Sequence, residues 1–328
     1  MSETPIVVKD PADSRDNEVR PFQIEGMEVR GRAVRLGTTV DRILSAHDYP
    51  DPVRRVLGEV LVLTAMLGSM MKFEGIVTVQ MKAEGPVPMM VADFERKADG
   101  DGHLRGYAGM DEDQLARMAP DADFKELISG RKGYFAITID QGRDMERYQG
   151  IVDLDGDSVE EVARTYFRNS EQLPTAMQIH ARRDGVIGHW RAGGIMVQHL
   201  ARGEEGHERL LDRETEEQWN RAHILMETVT DTELLGPDLD LDKLLLRLFH
   251  EDGVRVFARS PVVMGCRCSR DRLLGVLSQF SRDDIDHMVV DGVIAVNCQF
   301  CNSTFDFDPE TVMAAAGHAT GPESDGKN

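Results

Sequence analysis

Gly265-Cys-Arg-Cys-Ser-Arg270 and Asn297-Cys-Gln-Phe-Cys-Asn302 hold all four cysteines of the chain. They form two close pairs, Cys266 with Cys268 and Cys298 with Cys301, separated by residues 269–297. Four soft thiolates converging on one point meet the needs of a tetrahedral Zn²⁺ site. The same thiols can close as two disulfides once the metal has gone, so the pattern reads as a metal site and as a switch. The plainer alternative is a static zinc ribbon that only staples a small domain. A region from 259 to 313 is too small for a strong core, and metal binding at comparable sites contributes on the order of 10–16 kcal/mol of folding energy. Two details favour the switch. Cysteines at i and i+2 come within disulfide reach where the backbone turns. Arg267, Arg270 and Arg272 surround the first pair, and nearby positive charge favours the thiolate that an oxidant attacks.

Composition narrows the class. A chain of 328 residues with 41 % hydrophobic content can bury a large core, in about two domains. The start, Met1-Ser2-Glu3-Thr4, lacks a basic segment followed by an apolar run, so no signal peptide is expected. The longest uncharged apolar stretch, Val60 to Met71, is too short to span a bilayer. These features imply a cytoplasmic protein, a setting in which paired cysteines read as metal-binding or redox-active. A formal net charge of −20 repels phosphate backbones and anionic membranes, so neither nucleic acid nor membrane is an expected partner.

Periodicity gives the organisation. Thr38 or Thr39 is placed to cap a helix through about His47. After Asp51-Pro52, apolar positions Val53, Val56, Leu57, Val60, Leu61, Met66 and Leu67 keep a helical period, on a helix apolar nearly all round and hence central to a core. Gly75–Met81 alternates as a strand; Tyr134–Ile139 and Arg147–Val152 follow less regularly. Ser158 and Glu161 have capping-box spacing ahead of a helix through about Ser170. Strands at Ala176–Arg182 and Val186–Val197 flank the turn signal Asp184-Gly185. From Gly203 to Arg221 the chain is strongly acidic and its large apolar residues are Leu210, Leu211 and Trp219, which suits a marginally stable helix. Pro237–His250 reads as a leucine-rich helix, Ser269 and Ser281 as caps, and Val293–Val296 with Thr304–Phe307 as a ribbon-like hairpin.

The expected fold class is therefore α+β: a disordered extension at 1–20, a core domain with an antiparallel sheet at 21–201, a helical linker at 202–258, a zinc-binding redox domain at 259–313, and a disordered tail at 314–328. Weaker candidates remain beside the cysteines. His287 lies between the pairs, but four cysteines already fill a tetrahedron. His180, His189 and His199 sit on expected strands and suit structural or surface roles. Gly193-Gly194 suits close packing better than a phosphate cradle, and Met66, Met70 and Met71 suit the core. No Ser/His/Asp set, Walker loop or HExxH motif occurs, so no catalytic role is expected.

Cys266-Arg-Cys-Ser-Arg270 and Cys298-Gln-Phe-Cys301 occur together with Ala192-Gly-Gly-Ile-Met-Val-Gln198, Arg147-Tyr-Gln-Gly150, Ser170-Glu-Gln-Leu-Pro174, His47-Asp-Tyr-Pro50 and Leu248-Phe-His-Glu251. In this set and order, from about residue 20 to 313, the chain resembles the 33 kDa heat-shock chaperone family of redox-regulated bacterial chaperones. It departs from that pattern in its longer N-terminal extension, in acidic residues around 203–217, and at His199. The resemblance implies an ATP-independent holdase that protects unfolding clients under oxidative stress. It implies one Zn²⁺ per chain on Cys266, Cys268, Cys298 and Cys301 in the inactive reduced form. Oxidation would then form Cys266–Cys268 and Cys298–Cys301 disulfides, release zinc and disorder the linker, giving an active form that is often a homodimer. The alternatives are a constitutive zinc-binding interaction module and a thiol oxidoreductase working through Cys298 and Cys301.

Overall fold

The computed structural model describes residues 7–8, 16–128, 133–142, 145–186, 188–199 and 213–317. Two compact units divide the chain, one from Val8 to Met264 and the other from Gly265 onward.

The larger unit is built on a twelve-stranded sheet. Its strands are β1 (Val7–Val8), β2 (Asn17–Ile24), β3 (Val29–Leu36), β4 (Gly75–Lys82), β5 (Met89–Arg96), β6 (Gly102–Gly109), β7 (Tyr134–Asp140), β8 (Tyr148–Asp153), β9 (Thr175–Arg183), β10 (Trp190–His199), β11 (Val254–Val256) and β12 (Ser260–Gly265). The main path runs β8-β7-β4-β5-β6-β12-β2-β3-β10-β9. Pairing along it is antiparallel except between β12 and β6. The helices are α1 (Thr38–Leu44), α2 (Asp51–Gly68), the single turns α3 (Glu112–Leu115) and α4 (Phe124–Leu127), α5 (Val159–Tyr166), α6 (Arg213–Glu227), α7 (Asp231–Leu235) and α8 (Leu241–Phe249). This is the α+β class that the sequence implied.

α2 explains the curvature of the sheet. It buries residues on every side, from Val53 through Leu67. It packs against β4, β5 and β6 and also against β3, β9 and β10, so strands far apart in the sheet order close round one helix. An all-round apolar helix needs such a wrapping. Gly194 permits the approach. A Cβ there would lie 2.5 Å from Met66 Cε and 2.8 Å from Gln178 O, while β10 keeps an unbroken register with β3. Close packing, as expected, is the role of this glycine pair, and Met66 and Met71 are core residues.

The opposite face of the sheet carries a second core. Phe22, Ile24, Val29, Ala33, Ile195 and Val197 meet Met226 of α6, Leu234 of α7, and Leu244, Leu245 and Phe249 of α8. The Phe22 and Phe249 rings stack with centroids 5.7 Å apart. Two arginines of the sheet lock the middle of this layer. Arg35 is fully buried, and its Nε, Nη1 and Nη2 donate to Leu234 O at 2.9 Å, Leu239 O at 2.6 Å and Glu233 O at 2.8 Å. Burial is also what lowers its pKa. Arg191 Nε donates to Leu235 O at 2.6 Å, and its Nη1 and Nη2 grip the Asp16 carboxylate. Three of the carbonyls so held, those of Glu233, Leu234 and Leu235, close the C-terminal end of α7, where a helix leaves its own acceptors unpaired.

Several boundaries differ from the expected ones. Asn17–Arg20 do not fray but form the start of β2. Asn17 Oδ1 accepts from Gly37 N and Thr39 N and so holds the start of α1, whose cap position is Gly37 rather than Thr38 or Thr39. The Thr39 hydroxyl instead donates to Val262 O. α1 ends at Leu44, short of His47. α5 stops at Tyr166 and continues as a π-helical turn, Phe167–Glu171. β10 starts at Trp190 because Asp184 N bonds His189 O, a wider turn than Asp184-Gly185 alone. α8 begins after Asp240, whose side chain accepts from Lys243 N. Ser260–Met264 pair with β2 and β6 in the larger unit, so the boundary lies at Gly265 and not at 259. Leu210 and Leu211 lie outside the described residues.

Arg35→Met should strand three buried carbonyls. The expected loss of stability is about 3 kcal/mol or more in urea unfolding. Amide exchange at residues 231–239 should rise well above that of β2 and β3. Unchanged protection there would show that the carbonyls find other partners.

Candidate metal centre

The smaller unit has little core of its own. α9 (Arg270–Leu277), α10 (Arg282–Met288) and α11 (Pro309–Ala315) pack with the hairpin β13 (Ile294–Asn297) and β14 (Thr304–Phe307) around Leu277, Ile285, Ile294, Phe307, Val312 and Met313. Ala314 and Ala315, expected in a disordered tail, belong to α11. Ser269 and Ser281 cap α9 and α10 as expected, accepting from Arg272 N and Asp284 N.

These elements deliver the cysteines. Cys266 follows the last residue of β12, and Cys268 stands one residue before the cap of α9. Cys298 follows β13 and opens a tight knuckle: Asn302 N donates to Cys298 O, Cys298 N donates to Ser303 O, and Asn302 takes the left-handed φ of 55°. The knuckle turns Cys301 back toward Cys298. Cys266, Cys268 and Cys298 are buried and Cys301 is half-buried.

All four Sγ atoms lie within 4.8 Å of one another, and all four cysteines are free thiols. Cys266 Sγ is 3.6 Å from Cys298 Sγ, and Cys268 Sγ is 3.4 Å from Cys301 Sγ. A regular tetrahedron with metal–sulfur bonds of ~2.3 Å has edges of about 3.8 Å. The donor set therefore fits a thiolate-bound ion. Among the described residues no other group of three or more His, Cys, Asp or Glu is so placed. His287 is exposed, with Nδ1 against Asp283 O, and it is not part of the cluster.

The electrostatics point the same way. Hydrogen bonds from Cys266 and Cys298, then from Ser303, hold the Cys301 thiol far below its usual range. Cys298 is raised by its bonds with Cys266 and Cys301 and by burial. Burial, ahead of the other thiols, pushes Cys268 up to about 12. Cys266 rises to about 11, because its bond to Cys298 is outweighed by its bond to Cys301 and by burial. Three of the four thiols are thus driven toward the protonated form and one toward the thiolate. Of the flanking arginines, Arg270 stacks over the Phe307 ring and donates to Asp306 O, and Arg272 donates to Arg267 O, between the first two cysteines. Ser303, which sequence reasoning did not single out, is the polar contact of Cys301 at 3.3 Å. Its signal was its place two residues past a knuckle cysteine.

The other candidates fall outside the cluster. His180 pairs with Asp231, exposed His189 with Asp41, and buried His199 sets its ring edge-on to Trp219. No helix among the described residues is long and apolar enough to cross a membrane.

Comparison with known proteins agrees with this geometry. The family model described as "Hsp33 protein" matches residues 17–308. A 33 kDa chaperonin of Caulobacter vibrioides is 41 % identical over 302 residues, covering 90 % of this chain and 95 % of that one. A 33 kDa chaperonin of Photobacterium profundum is 36 % identical over 317 residues, covering 95 % and 98 %. The crystal structure of a 33 kDa chaperonin from Thermotoga maritima superposes with a TM-score of 0.73 at 20 % identity, covering 92 % of this chain and 98 % of that one, and so shares the fold.

The thiol pKa values give the centre a pH signature. Near neutral pH an entering ion must displace the protons of Cys266, Cys268 and Cys298, so affinity falls as pH falls. With about three protons displaced, the slope is roughly a thousandfold per unit. Competition with a chelator between pH 6 and 8 measures it. A flat profile would mean that the thiols are not the ligands.

Proposed function

The chain belongs to the Hsp33 protein family, and on that premise we propose that it is a redox-regulated, ATP-independent holdase of the cytoplasm. The observation that carries this reading is the convergence of four free thiols in a unit with a small core of its own. In the reduced form Cys266, Cys268, Cys298 and Cys301 would hold one Zn²⁺, which would offset half of the charge of four thiolates and staple the hairpin to α9. Oxidation by a peroxide or hypochlorite would take two electrons from each pair of thiolates, forming Cys266–Cys268 and Cys298–Cys301, while the oxidant is reduced to water, or to chloride and water, with protons drawn from solvent. A disulfide sulfur no longer binds the ion, and the small unit then lacks the energy to stay folded. The linker at 202–258, described from residue 213, would lose its order next in this scheme, baring the apolar layer of α6, α7 and α8. The active protein captures unfolding clients, as a homodimer, without enzymatic turnover.

The local pairing is proposed for its short loops, which cost the least chain rearrangement. The separations of 3.6 Å and 3.4 Å run across the pairs, but all four sulfurs lie within 4.8 Å of one another, so these distances do not choose a connectivity.

Light scattering of a thermally unfolding client, with reduced and oxidised protein side by side, tests the function. Suppression of aggregation should come from the oxidised form alone, with one equivalent of zinc released per chain. Equal suppression by both forms would favour a constitutive module, and steady turnover of a model disulfide would favour an oxidoreductase. Peptide mapping decides the pairing; dominant 266–298 and 268–301 links would overturn it.

Trp219→Gly tests the linker. Trp219 is a partly buried anchor of the exposed first half of α6, between the rings of His199 and His223. Its loss should give partial holdase activity with the metal still bound, and exchange at 213–229 should rise while β4–β7 stay protected. Activity that still requires complete metal release would separate linker order from activation.

A further inference from the structure

A second site lies in the larger unit, away from the cysteines. A cavity of about 270 Å³ opens between the end of α2, β4, β7 and the π-helical turn. Its walls are mainly apolar, with Met70, Met71, Phe73 and Ile137 among them. Two polar groups on neighbouring strands break this surface. Arg30 of β3 and Gln198 of β10 stand directly opposite one another in the register, and both line the cavity.

Both are unsatisfied. Arg30 Nε is buried with no hydrogen-bond partner, and Arg30 forms no ion pair with any described residue. Gln198 is only 1 % exposed, and its Oε1 has no partner either. The amide orientation follows from its neighbours. Thr175 Oγ1 donates to Leu173 O, so it accepts from Gln198 Nε2 at 3.2 Å and leaves Oε1 as the free acceptor. Arg32, two residues along the same face of β3, adds a second half-buried guanidinium whose Nε is also unpartnered. Burial first, and then the charge of Arg30, lowers its pKa to about 10. The acid on the cavity wall is Glu171, and its Oε1 already accepts from Tyr148 Oη at 3.0 Å and Tyr166 Oη at 3.2 Å. In a chain of net charge −20, guanidinium groups without a carboxylate are out of place unless the carboxylate arrives from outside.

We propose that this cavity binds the C-terminal residue of a polypeptide ending in a large apolar side chain. The terminal carboxylate accepts from Arg30, the backbone N–H of the same residue donates to Gln198 Oε1, and the side chain fills the apolar cavity. Arg30 and Gln198 Oε1 thereby each gain the partner they lack. The volume is below the roughly 300–1,000 Å³ of drug-sized pockets and suits one side chain rather than a long alkyl tail. A free fatty acid offers the same carboxylate on an apolar body, but once ionised it has no donor for Gln198. The segments Arg147–Gly150 and Ser170–Pro174, whose likeness to a known family had no structural explanation, meet here through the Tyr148–Glu171 bond. The site does not depend on the redox reading, and its failure would leave that reading intact.

The test is an NMR titration of the full-length, reduced protein with N-acetylphenylalanine, N-acetylphenylalaninamide and octanoate. N-acetylphenylalanine should bind saturably, with shifts at Phe73, Ile137 and Arg30. The amide, which lacks the carboxylate, should bind at least tenfold more weakly. Arg30→Gln and Gln198→Leu should each weaken N-acetylphenylalanine at least tenfold, in variants whose thermal unfolding and amide spectrum remain native-like. Equal binding of acid and amide overturns the proposal without recourse to any variant, as does the absence of saturation. Octanoate binding as tightly as N-acetylphenylalanine, and indifferent to Gln198→Leu, would also overturn it by showing that the N–H contact does not exist.

Discussion

Backbone carbonyls at the end of α7 have no partner within their own helix, and two arginines of the sheet supply it. Arg35 holds Glu233 and Leu234 there, and Leu239 just beyond, and Arg191 holds Leu235 while anchored on Asp16. Gly193 leaves room for this contact, since a Cβ there would lie 3.1 Å from Leu235 Cδ2 and 3.2 Å from Leu234 O. A buried guanidinium with carbonyl partners alone is costly to form and costlier to break. Such a joint is directional and local. It fixes where the chain after β10 must return to the sheet, and the apolar layer of α6 and α8 fills in on either side.

The smaller unit obeys a different constraint. Its helices and hairpin bury too few large side chains to offset the entropy of ordering them, so the sulfur cluster has to contribute folding energy. Three of its four thiols are driven toward the protonated form by burial and by each other, which makes the cluster a poor home for four negative charges until a cation arrives. Chemistry that removes the thiolates therefore acts on folding directly. In the larger unit, by contrast, the sheet wraps α2 and needs no ligand.

Sequence periodicity located the elements whose environment is simple. α2, β4 and the hairpin β13–β14 show their periods because each packs in one way, and the cysteine spacing alone identified the cluster. What escaped depends on long-range partners. Asn17 looks like part of a polar terminus, yet its amide holds α1 across the β2–β3 pair. Arg35 and Arg191 look like surface charges on alternating strands, and nothing in their neighbours in sequence announces that carbonyls 199 and 44 residues away, respectively, will meet them. Arg270 runs the opposite way. Proximity in sequence suggested that it tunes the thiols, whereas it is spent on Phe307 and Asp306. Single-chain patterns report burial; they do not report which polar group pairs with which.

The layer from α6 to α8 is graded in how firmly it is held. α8 buries Leu241, Leu244, Leu245, Leu248 and Phe249, and α7 is gripped by the arginines. α6 buries Ala222 and Met226 in its second half, while in its first half the described side chains are exposed or only partly covered, with Trp219 as the one large anchor. Few apolar contacts and exposed backbone bonds mark the segment that opens at the lowest free energy. Any process that strips this layer from the sheet must therefore begin at α6 and meet its main resistance at Arg35. Full exposure of the apolar face requires that three charge-assisted bonds break together, which is the kind of cooperative threshold that separates a partly loosened linker from a released one.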